Sequence, residues 1–403
     1  MLIVKKFGGS SVANKERVYN VANRIIEDYK EGNKVVVVLS AQGGTTDDLL
    51  ERAKEITGTP SKREMDMLLA TGEQQSVALM AMAIHDLGFP AISLNAFQVI
   101  MNTTRVYSNA RLKEIETERI NMELARNNIV IVTGFQGINR YEDITTLGRG
   151  GSDTTAVALA AALNADKCEI YTDVDGIYTA DPRVVKNARK LDEITYDEML
   201  ELASLGAKVL HNRSVEVAKK FNVELVVRSS LTRAEGTVVK EECKMEKMLV
   251  SGVAADKNIA RVAVVGIKDK PGKAFDLFSI LSKKNINVDI ILQSIGRDGS
   301  KDISFTIDVS HLEETREVLN QNLDHLQAER IEYDKDVAKI SVVGAGMASN
   351  PGVATKMFEA LYDADININM ISTSEIKISV LVAEDDADEA VNAIHDHFKL
   401  SLK

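Results

Sequence analysis

The sequence predicts an α/β protein: a mostly parallel β-sheet sandwiched by helices, followed by two small α+β modules. Three observations support this class. Short apolar runs alternate with helical periodicity through the first half, glycine-rich segments follow several of these runs, and the second half contains an internal repeat. Strands alternating with helices are typical of a parallel sheet covered on both faces. The length of 403 residues and the hydrophobic content of 45% suit two or three domains with large cores.

The apolar spacing sets the first elements. Leu2-Ile3-Val4 leads into the glycine pair Gly8-Gly9, and a helix that stops at Gly32 is predicted to come next. Its apolar positions have the i, i+3, i+4, i+7 spacing of a helix face. They are Val18, Val21, Ala22, Ile25, Ile26 and Tyr29. Three further segments read as strands, at 35–39, 129–132 and 169–172. Ligands of such sheets bind at the carboxyl ends of the strands, where the glycine-rich segments fall.

The second half repeats itself. A pattern that begins at Pro271-Gly272 and ends at Ile286-Asn287-Val288 recurs from Pro351-Gly352 to Ile366-Asn367-Ile368, with an offset of 80 residues. Each copy reads strand, Pro-Gly loop, helix, strand, then a further strand and helix. Two similar units of about 70 residues therefore lie in tandem. The polar stretch 241–248 is predicted to be the linker that precedes them.

Composition excludes several classes of function. The formal net charge of −11 argues against nucleic acid as a partner, because binding its phosphates needs a basic face. Cys168 and Cys243 lack metal-ligand spacing, which suits a reduced cytoplasm. The N-terminal apolar run is too short for a signal peptide, and no apolar stretch reaches the roughly 18 residues that span a bilayer. We therefore expect a soluble cytoplasmic protein with no membrane partner.

The most informative segment is Thr146–Thr155, with the sequence TLGRGGSDTT, which runs into a predicted buried helix. Its glycines let the backbone approach a ligand closely, and the free N–H groups of a helix start face an anion. Arg149 adds a planar fork suited to a carboxylate or a phosphate. The alternative is an ordinary loop in which Ser152 is the N-cap and Asp153 lies in the first turn.

A second glycine-rich segment, Lys6–Ser11, comes after the first predicted strand. Its backbone amides can cradle phosphates, and Lys6 supplies a mobile charge. It is not a P-loop, since that pattern occurs nowhere in the chain. A tight strand-to-helix turn is the alternative. Other motif residues also have ordinary alternatives: Glu73 as a solvated cap at a helix start, Asp173 and Asp175 as turn formers, and Arg183 as a surface residue.

Six motifs occur in a fixed order along the chain: KFGGSSV (6–12), SAQGGTTD (40–47), TGE (71–73), GFQG (134–137), GRGGSD (148–153) and TDVDGIYTADPR (172–183). Together they resemble the aspartate kinases, within the amino acid kinase family. The resemblance covers essentially the whole chain, and the internal repeat resembles paired ACT domains. Ser10 stands where the family usually has threonine, so the hydroxyl is kept.

The resemblance implies transfer of the ATP γ-phosphoryl group to the β-carboxylate of L-aspartate. The product is 4-phospho-L-aspartate, and the reaction opens lysine, threonine, methionine and diaminopimelate biosynthesis. A carboxylate nucleophile is already ionised at pH 7, since its pKa is about 4, so no general base is required. The enzyme need only position the reactants and neutralise charge. Mg²⁺ would arrive bound to ATP, without a dedicated protein metal site.

The resemblance also implies residue roles. Lys6, Arg149 and Asp153 would be catalytic. Arg149 would clamp a carboxylate of aspartate and Glu73 would pair with its ammonium group. The expected substrate contacts are Thr46, Glu73, Arg149 and Ser152. The expected ATP contacts are Lys6, Phe7, Gly8, Gly9, Ser10, Thr172, Asp173, Tyr178, Arg183, Lys208 and Val209.

The paired ACT domains imply feedback by lysine, threonine or both. Because the family interleaves its modules, we expect a catalytic domain over 1–240, one ACT domain over 263–337, and a second from 249–262 with 338–403. The expected effector contacts are Asp269, Ala274, Asn287, Val288, Asp289, Gln293, Val353, Ala354, Asn367, Ile368, Ser374 and Glu375. A homo-oligomer through these domains is expected. An internal start at Met245 or Met248 is consistent with a separate regulatory subunit.

Two other functions stay open at this point. One is a related amino acid kinase that acts on another carboxylate, such as glutamate. The other is a catalytically inactive amino-acid sensor. Glu73, Arg149 and the paired modules favour aspartate, while the intact Lys6 and Asp153 argue against the sensor.

Overall fold

The computed structural model describes residues 1–204, 209–243, 249–295, 299–347 and 350–402. The chain divides into two compact units. The first comprises the described parts of residues 1–178 and 190–246, and the second those of residues 179–189 and 247–403.

The described residues of the first unit contain twelve strands and seven α-helices. The strands are β1 (Leu2–Phe7), β2 (Lys34–Leu39), β3 (Ala91–Leu94), β4 (Met101–Thr103), β5 (Leu112–Ile115), β6 (Ile129–Thr133), β7 (Gln136–Ile138), β8 (Ile144–Thr146), β9 (Lys167–Thr172), β10 (Glu193–Thr195), β11 (Leu225–Ser229) and β12 (Thr237–Lys240). The helices are α1 (Lys15–Lys30), α2 (Thr45–Ile56), α3 (Lys62–Asp86), α4 (Glu118–Ala125), α5 (Gly151–Ala162), α6 (Tyr196–Ser204) and α7 (Asn212–Phe221).

Eight of these strands form one sheet in the order β10-β12-β11-β9-β1-β2-β6-β3. Every neighbouring pair is parallel except β11 and β12. Side chains alternate between the faces of a strand. Val35 and Val37 pack in one cluster with residues of α1 and α3, while the alternate residues Val36 and Val38 are also fully buried. Helix α5 packs on β1, β2 and β9. The sheet is thus covered on both faces, which confirms the predicted α/β class.

The sequence signals for α1 are also confirmed. The helix begins after Asn14, whose side chain accepts a hydrogen bond from Arg17 N at 3.0 Å. It ends at Lys30, two residues before Gly32. A second, smaller sheet in the order β5-β4-β7-β8 lies in the same unit. Gln136 Nε2 of this sheet donates to the backbone oxygen of Ala70 in α3 at 2.9 Å.

The second unit contains two modules of similar build. Within the described residues its strands are β13 (Gly252–Asp256), β14 (Ile259–Lys268), β15 (Ile291–Ile295), β16 (Ser300–Asp308), β17 (Arg330–Asp334), β18 (Val337–Val343), β19 (Met370–Thr373) and β20 (Lys377–Ala383). Its helices are α8 (Lys273–Lys283), α9 (Leu312–Gln321), α10 (Leu323–Leu326), α11 (Val353–Asp363) and α12 (Ala387–His397).

Each module has one four-stranded antiparallel sheet. The first has the order β15-β16-β14-β17, and its core holds Leu277, Leu281 and Phe305. The second has the order β13-β18-β20-β19, so the strand just before the first module completes the sheet of the second. The segment 179–189 also belongs to this unit, and Ala180 and Val185 lie in the core of the second module.

None of the described helices is long and apolar enough to cross a membrane.

Candidate functional site

The motifs of the first unit lie at the carboxyl ends of central strands. The segment Gly8–Ser11 comes after β1, Ser40–Thr46 after β2, Gly134 after β6, and Asp173 after β9. Because these strands are parallel neighbours, their carboxyl ends meet at one edge of the sheet. Backbone hydrogen bonds join the loops directly, since Gly43 N donates to Gly9 O at 3.0 Å.

Lys6 projects from the end of β1 toward the start of α5. Its Nζ lies 2.6 Å from Oδ1 of Asp153, and both side chains are only 12% exposed. A methyl group placed on Gly8 would lie 3.5 Å from the same Nζ, so the ammonium group sits over the glycine loop. A sheltered cation beside the backbone amides of a glycine loop is suited to a phosphate group.

The start of α5 differs from an ordinary loop with a serine cap. The N-cap is Gly150, at φ +69°, and no side chain caps the helix. Ser152 is the second residue of the helix, so the interpretation of Ser152 as N-cap is wrong; Asp153 does lie in the first turn. The reason is steric: a Cβ on Gly150 would lie 2.3 Å from Cγ of His211, which leaves no room for a serine cap. The first N–H groups of the helix thus have no side-chain partner at the cap.

Arg149 lies between Gly148 and Gly150, and its side chain is exposed. Both glycines have positive φ, at +78° and +69°. His211 packs against Gly150, and burial lowers its pKa, opposed by the charge of Asp153. A neutral imidazole at this position leaves Arg149 as an accessible positive group beside the helix start.

Glu73 lies in the middle of α3, with its side chain turned into the protein. The residue is 4% exposed, so the interpretation as a solvated cap at a helix start is wrong. Its Oε1 accepts a hydrogen bond from Ala41 N at 3.0 Å, while Oε2 is buried without a hydrogen-bond partner. Burial raises its pKa to about 7. A buried carboxylate oxygen without a donor is a ready acceptor for a ligand ammonium group.

The remaining predicted contacts of the first unit differ in burial and in the side chains beside them. Thr46 is the second residue of α2 and is half-buried. Thr172 donates through Oγ1 to Asp173 at 3.0 Å, and the hydroxyl of Tyr178 donates to Asp175 at 2.8 Å. Burial raises the pKa of Tyr178 to about 12. Val209 is half-buried. The ring of Phe7 is fully buried and stacks on Tyr171, so only its backbone faces the glycine loop.

Two predicted ATP contacts fall elsewhere. Arg183 belongs to the second unit, where its guanidinium is 84% exposed and pairs with Asp181 at 2.6 Å. Lys208 lies outside the described residues, as do Met245 and Met248.

The predicted effector contacts occupy matching places in the two modules. Asp269 pairs with Lys301 at 2.6 Å, and Asp289 pairs with Lys339, a lysine that is 4% exposed. Ala274 and Val288 of the first module, with Val353, Ala354 and Ile368 of the second, flank the repeated loops. The polar members are exposed: Asn287, Gln293, Asn367, Ser374 and Glu375.

The sequence missed several residues that shape the site. Ser230 joins two loops, since its hydroxyl bonds Ser11 Oγ at 2.8 Å and its N–H donates to Thr172 O at 2.8 Å. Asp66 and Arg213 hold the segment before Arg149. Asp66 has only a weak sequence signal: it precedes Glu73 by seven residues, which places both on one helix face.

The fold and the site together define a member of the amino acid kinase family that carries ACT domains. Residues 1–229 match the model of the amino acid kinase family, and residues 262–323 and 340–398 match that of the ACT domain.

Two known proteins, one of them in two crystal structures, refine this class. An aspartokinase from Bacillus sp. (strain MGA3) is 54% identical over 401 residues, 99% of this chain and 98% of that protein. The crystal structure of E. coli aspartokinase III in complex with aspartate and ADP, its R-state, is 28% identical with a TM-score of 0.83, covering 98% of this chain and 99% of that one. Its T-state complex with lysine and aspartate is also 28% identical, with a TM-score of 0.78 and the same coverage. The chain belongs to the aspartokinase family.

Proposed function

We propose that the protein is an ATP-dependent aspartate kinase that transfers the γ-phosphoryl group to the β-carboxylate of L-aspartate. An oxygen of that carboxylate attacks the γ-phosphorus, the bond to the bridging oxygen breaks, and ADP leaves. The observation that carries this proposal is the Lys6–Asp153 ion pair beside the glycine loop. The same unit contains the buried Glu73, whose Oε2 has no hydrogen-bond partner.

Lys6 would neutralise charge on the transferred group. Its ammonium is held by Asp153 at 2.6 Å, so its direction is fixed before ATP binds. Charge stabilisation that needs no reorganisation is the main resource of a phosphoryl-transfer enzyme. The amides of Gly8, Gly9 and Ser10 would receive the phosphate oxygens.

Aspartate would be held at its α-carbon by opposite charges. Glu73 Oε2 would accept from the substrate ammonium, and Arg149 would bind a carboxylate through its planar fork. Thr46 and Ser152 would contribute hydroxyl contacts. A substrate carboxylate is already a nucleophile at neutral pH, so the site needs no general base to activate it.

The rest of the nucleotide would contact Thr172, Asp173, Tyr178 and Val209, with Lys208 as a further contact that the resemblance implies. Mg²⁺ commonly binds through phosphates and one or two carboxylates. We therefore propose that Mg²⁺ enters on ATP, with Asp153 as the carboxylate near its phosphates.

The second unit would be regulatory, with lysine, threonine or both as effectors at the repeated loops. Several of its large apolar side chains are exposed, among them Phe275, Ile291, Leu292 and Ile371. Exposed apolar patches mark interaction surfaces, which supports a homo-oligomer through these modules. We propose the domain limits 1–240, 263–337, and 249–262 with 338–403. We also propose a cytoplasmic location.

One assay tests the activity. Purified protein with Mg-ATP, aspartate and hydroxylamine should yield aspartyl hydroxamate, because hydroxylamine traps the acyl phosphate. Glutamate should yield little. Equal product with glutamate would point to a different acceptor, and no product with either would favour an amino-acid sensor.

A further inference from the structure

We propose that Asp66 and Arg213 are positioning residues that set the place of Arg149 and hence the affinity for aspartate. This inference rests on the proposed function, because it needs Arg149 to bind the substrate. Neither side chain is expected to touch aspartate or ATP. They act on the two backbone segments that precede the Arg149 loop.

Asp66 is a fully buried carboxylate of α3 whose partners are neutral donors from two distant segments. Its Oδ2 accepts from Ser108 N at 2.8 Å and from Thr146 N at 2.9 Å. Its Oδ1 accepts from Thr146 Oγ1 at 2.8 Å and from Ser108 Oγ at 3.3 Å. Two N–H groups and two hydroxyls thus converge on one buried charge, which a helix holds in place.

Arg213 holds the next residues of the same segments from α7. Its Nη1 donates to Leu147 O at 2.6 Å and its Nη2 to Ala110 O at 2.9 Å. Asp66 therefore takes the N–H groups and Arg213 the carbonyl groups, and the two side chains together form a clamp. Ala110 N in turn donates to Thr146 O at 2.9 Å, so the two segments are also bonded to each other.

This clamp lies directly before the Arg149 loop in the chain. Arg149 is flanked by two glycines in the left-handed region, where no side chain stiffens the backbone. Gly148 packs against the clamped segment, since a Cβ there would lie 3.1 Å from Ser108 O. On the other side Gly150 is already fixed by α5 and His211. Asp66 and Arg213 hold the backbone in place on the N-terminal side of Arg149.

The same helix also carries the other expected substrate group. Asp66 and Glu73 are seven residues apart, about two turns, so their side chains lie on one face of α3. One rigid element thereby fixes Glu73 directly and Arg149 through Asp66. A shift of about 1 Å in such a pair is costly to substrate binding.

The test is whether a substitution raises KM for aspartate while KM for ATP stays nearly unchanged. Asp66→Asn replaces one acceptor oxygen by a donor that faces N–H groups, and Arg213→Lys keeps the charge but cannot reach two carbonyls. Each should raise KM for aspartate about tenfold, with KM for ATP changed less than twofold. The double variant should show less than the product of the two effects, because both act on one loop.

Glu123→Gln is the matched control. Glu123 is another buried helical carboxylate of the first unit, bonded to Arg119 and Asn128 rather than to the site. This variant should lower the melting temperature without separating the two constants. Should Asp66→Asn not fold, Ser108→Ala and Thr146→Val remove single hydroxyl donors and should each raise KM for aspartate a few-fold.

Equal increases of both Michaelis constants, a fall in kcat alone, or a result matching that of Glu123→Gln would overturn the positioning role. A wild-type protein that makes no aspartyl hydroxamate would instead refute the proposed function itself. The two failures are thus separable in one set of measurements.

Discussion

Lys6 Nζ and Asp153 Oδ1 lie 2.6 Å apart in a sheltered ion pair that joins the end of β1 to the start of α5. Each partner comes from a different glycine-rich segment, so the pair brings together two motifs that are remote in sequence. The lysine is oriented before any nucleotide arrives. Incoming phosphates would share a cation whose position is already fixed, which is the arrangement that charge stabilisation in the transition state requires.

Replacement of Lys6 by alanine should therefore abolish turnover. We expect kcat to fall by about 10³-fold or more, with far-UV circular dichroism unchanged. The melting temperature should also fall, because the sheltered Asp153 carboxylate loses its counter-charge. Lys167→Ala is the control, since Lys167 also pairs with a carboxylate, Glu169, but at the opposite end of a strand in the same sheet. Retention of a tenth of wild-type activity in Lys6→Ala would contradict the assigned role.

Replacement of Arg149 by alanine should mainly damage the use of aspartate. Loss of a charged, two-pronged contact should raise KM for aspartate by about 100-fold, with KM for ATP within twofold. Arg149→Lys should restore only part of the affinity, because an ammonium group lacks the planar fork. Steady-state kinetics with each substrate varied in turn would measure this, and unchanged constants in Arg149→Ala would refute the substrate assignment.

Effector binding should appear in both activity and stability. Lysine, threonine or the pair should inhibit the kinase and raise the melting temperature, because a ligand that binds only the folded state stabilises it. Asp289→Asn should weaken the effect, while Asp363→Asn, an exposed position on α11, should not. If neither amino acid, alone or combined, changes activity or melting temperature, the regulatory proposal is wrong.

The sequence predicted the parts of the fold that depend on local pattern. The spacing in α1 and the apolar run of β2 each determine one element, and the resemblance supplied the order of the motifs. Patterns of this kind act over a few turns, so the elements could be assigned without knowledge of their neighbours.

The burial of single polar residues could not be predicted in the same way. Glu73 was open to a solvated interpretation because a TGE motif does not reveal that it lies in the middle of a 25-residue helix against Ala41. Asp66 and Arg213 gave even less signal. Their partners, Ser108 and Leu147 among them, are brought near only by the tertiary fold.

The buried position of Glu73 should make aspartate binding depend on pH. Burial raises its pKa to about 7, so half of the carboxyl groups are protonated near neutral pH in the free protein. A protonated Glu73 cannot pair with the substrate ammonium group. We expect kcat/KM for aspartate to fall as pH drops below about 7, since this profile reports groups of the free enzyme. In Glu73→Gln the profile should lose this step, and activity should be low at every pH.

Glu73 should also lower the stability of the folded protein at pH values where its carboxyl group is charged. Because its pKa rises on folding from 4.5 to about 7, the folded state holds the proton more tightly, and the penalty grows between these pH values. At pH 8 it amounts to about 3 kcal/mol, and below pH 4.5 it vanishes. Glu73→Gln should therefore melt several degrees above wild type at pH 8, with a smaller gain at pH 5. Glu123→Gln should instead melt below wild type at pH 8. Burial raises the pKa of Glu123, but hydrogen bonds from Asn128 and Arg119 lower it overall, so the negative charge of Glu123 stabilises the folded state. A Glu73→Gln protein that melts at or below the wild-type temperature at pH 8 would show that the buried charge of Glu73 does not destabilise the fold.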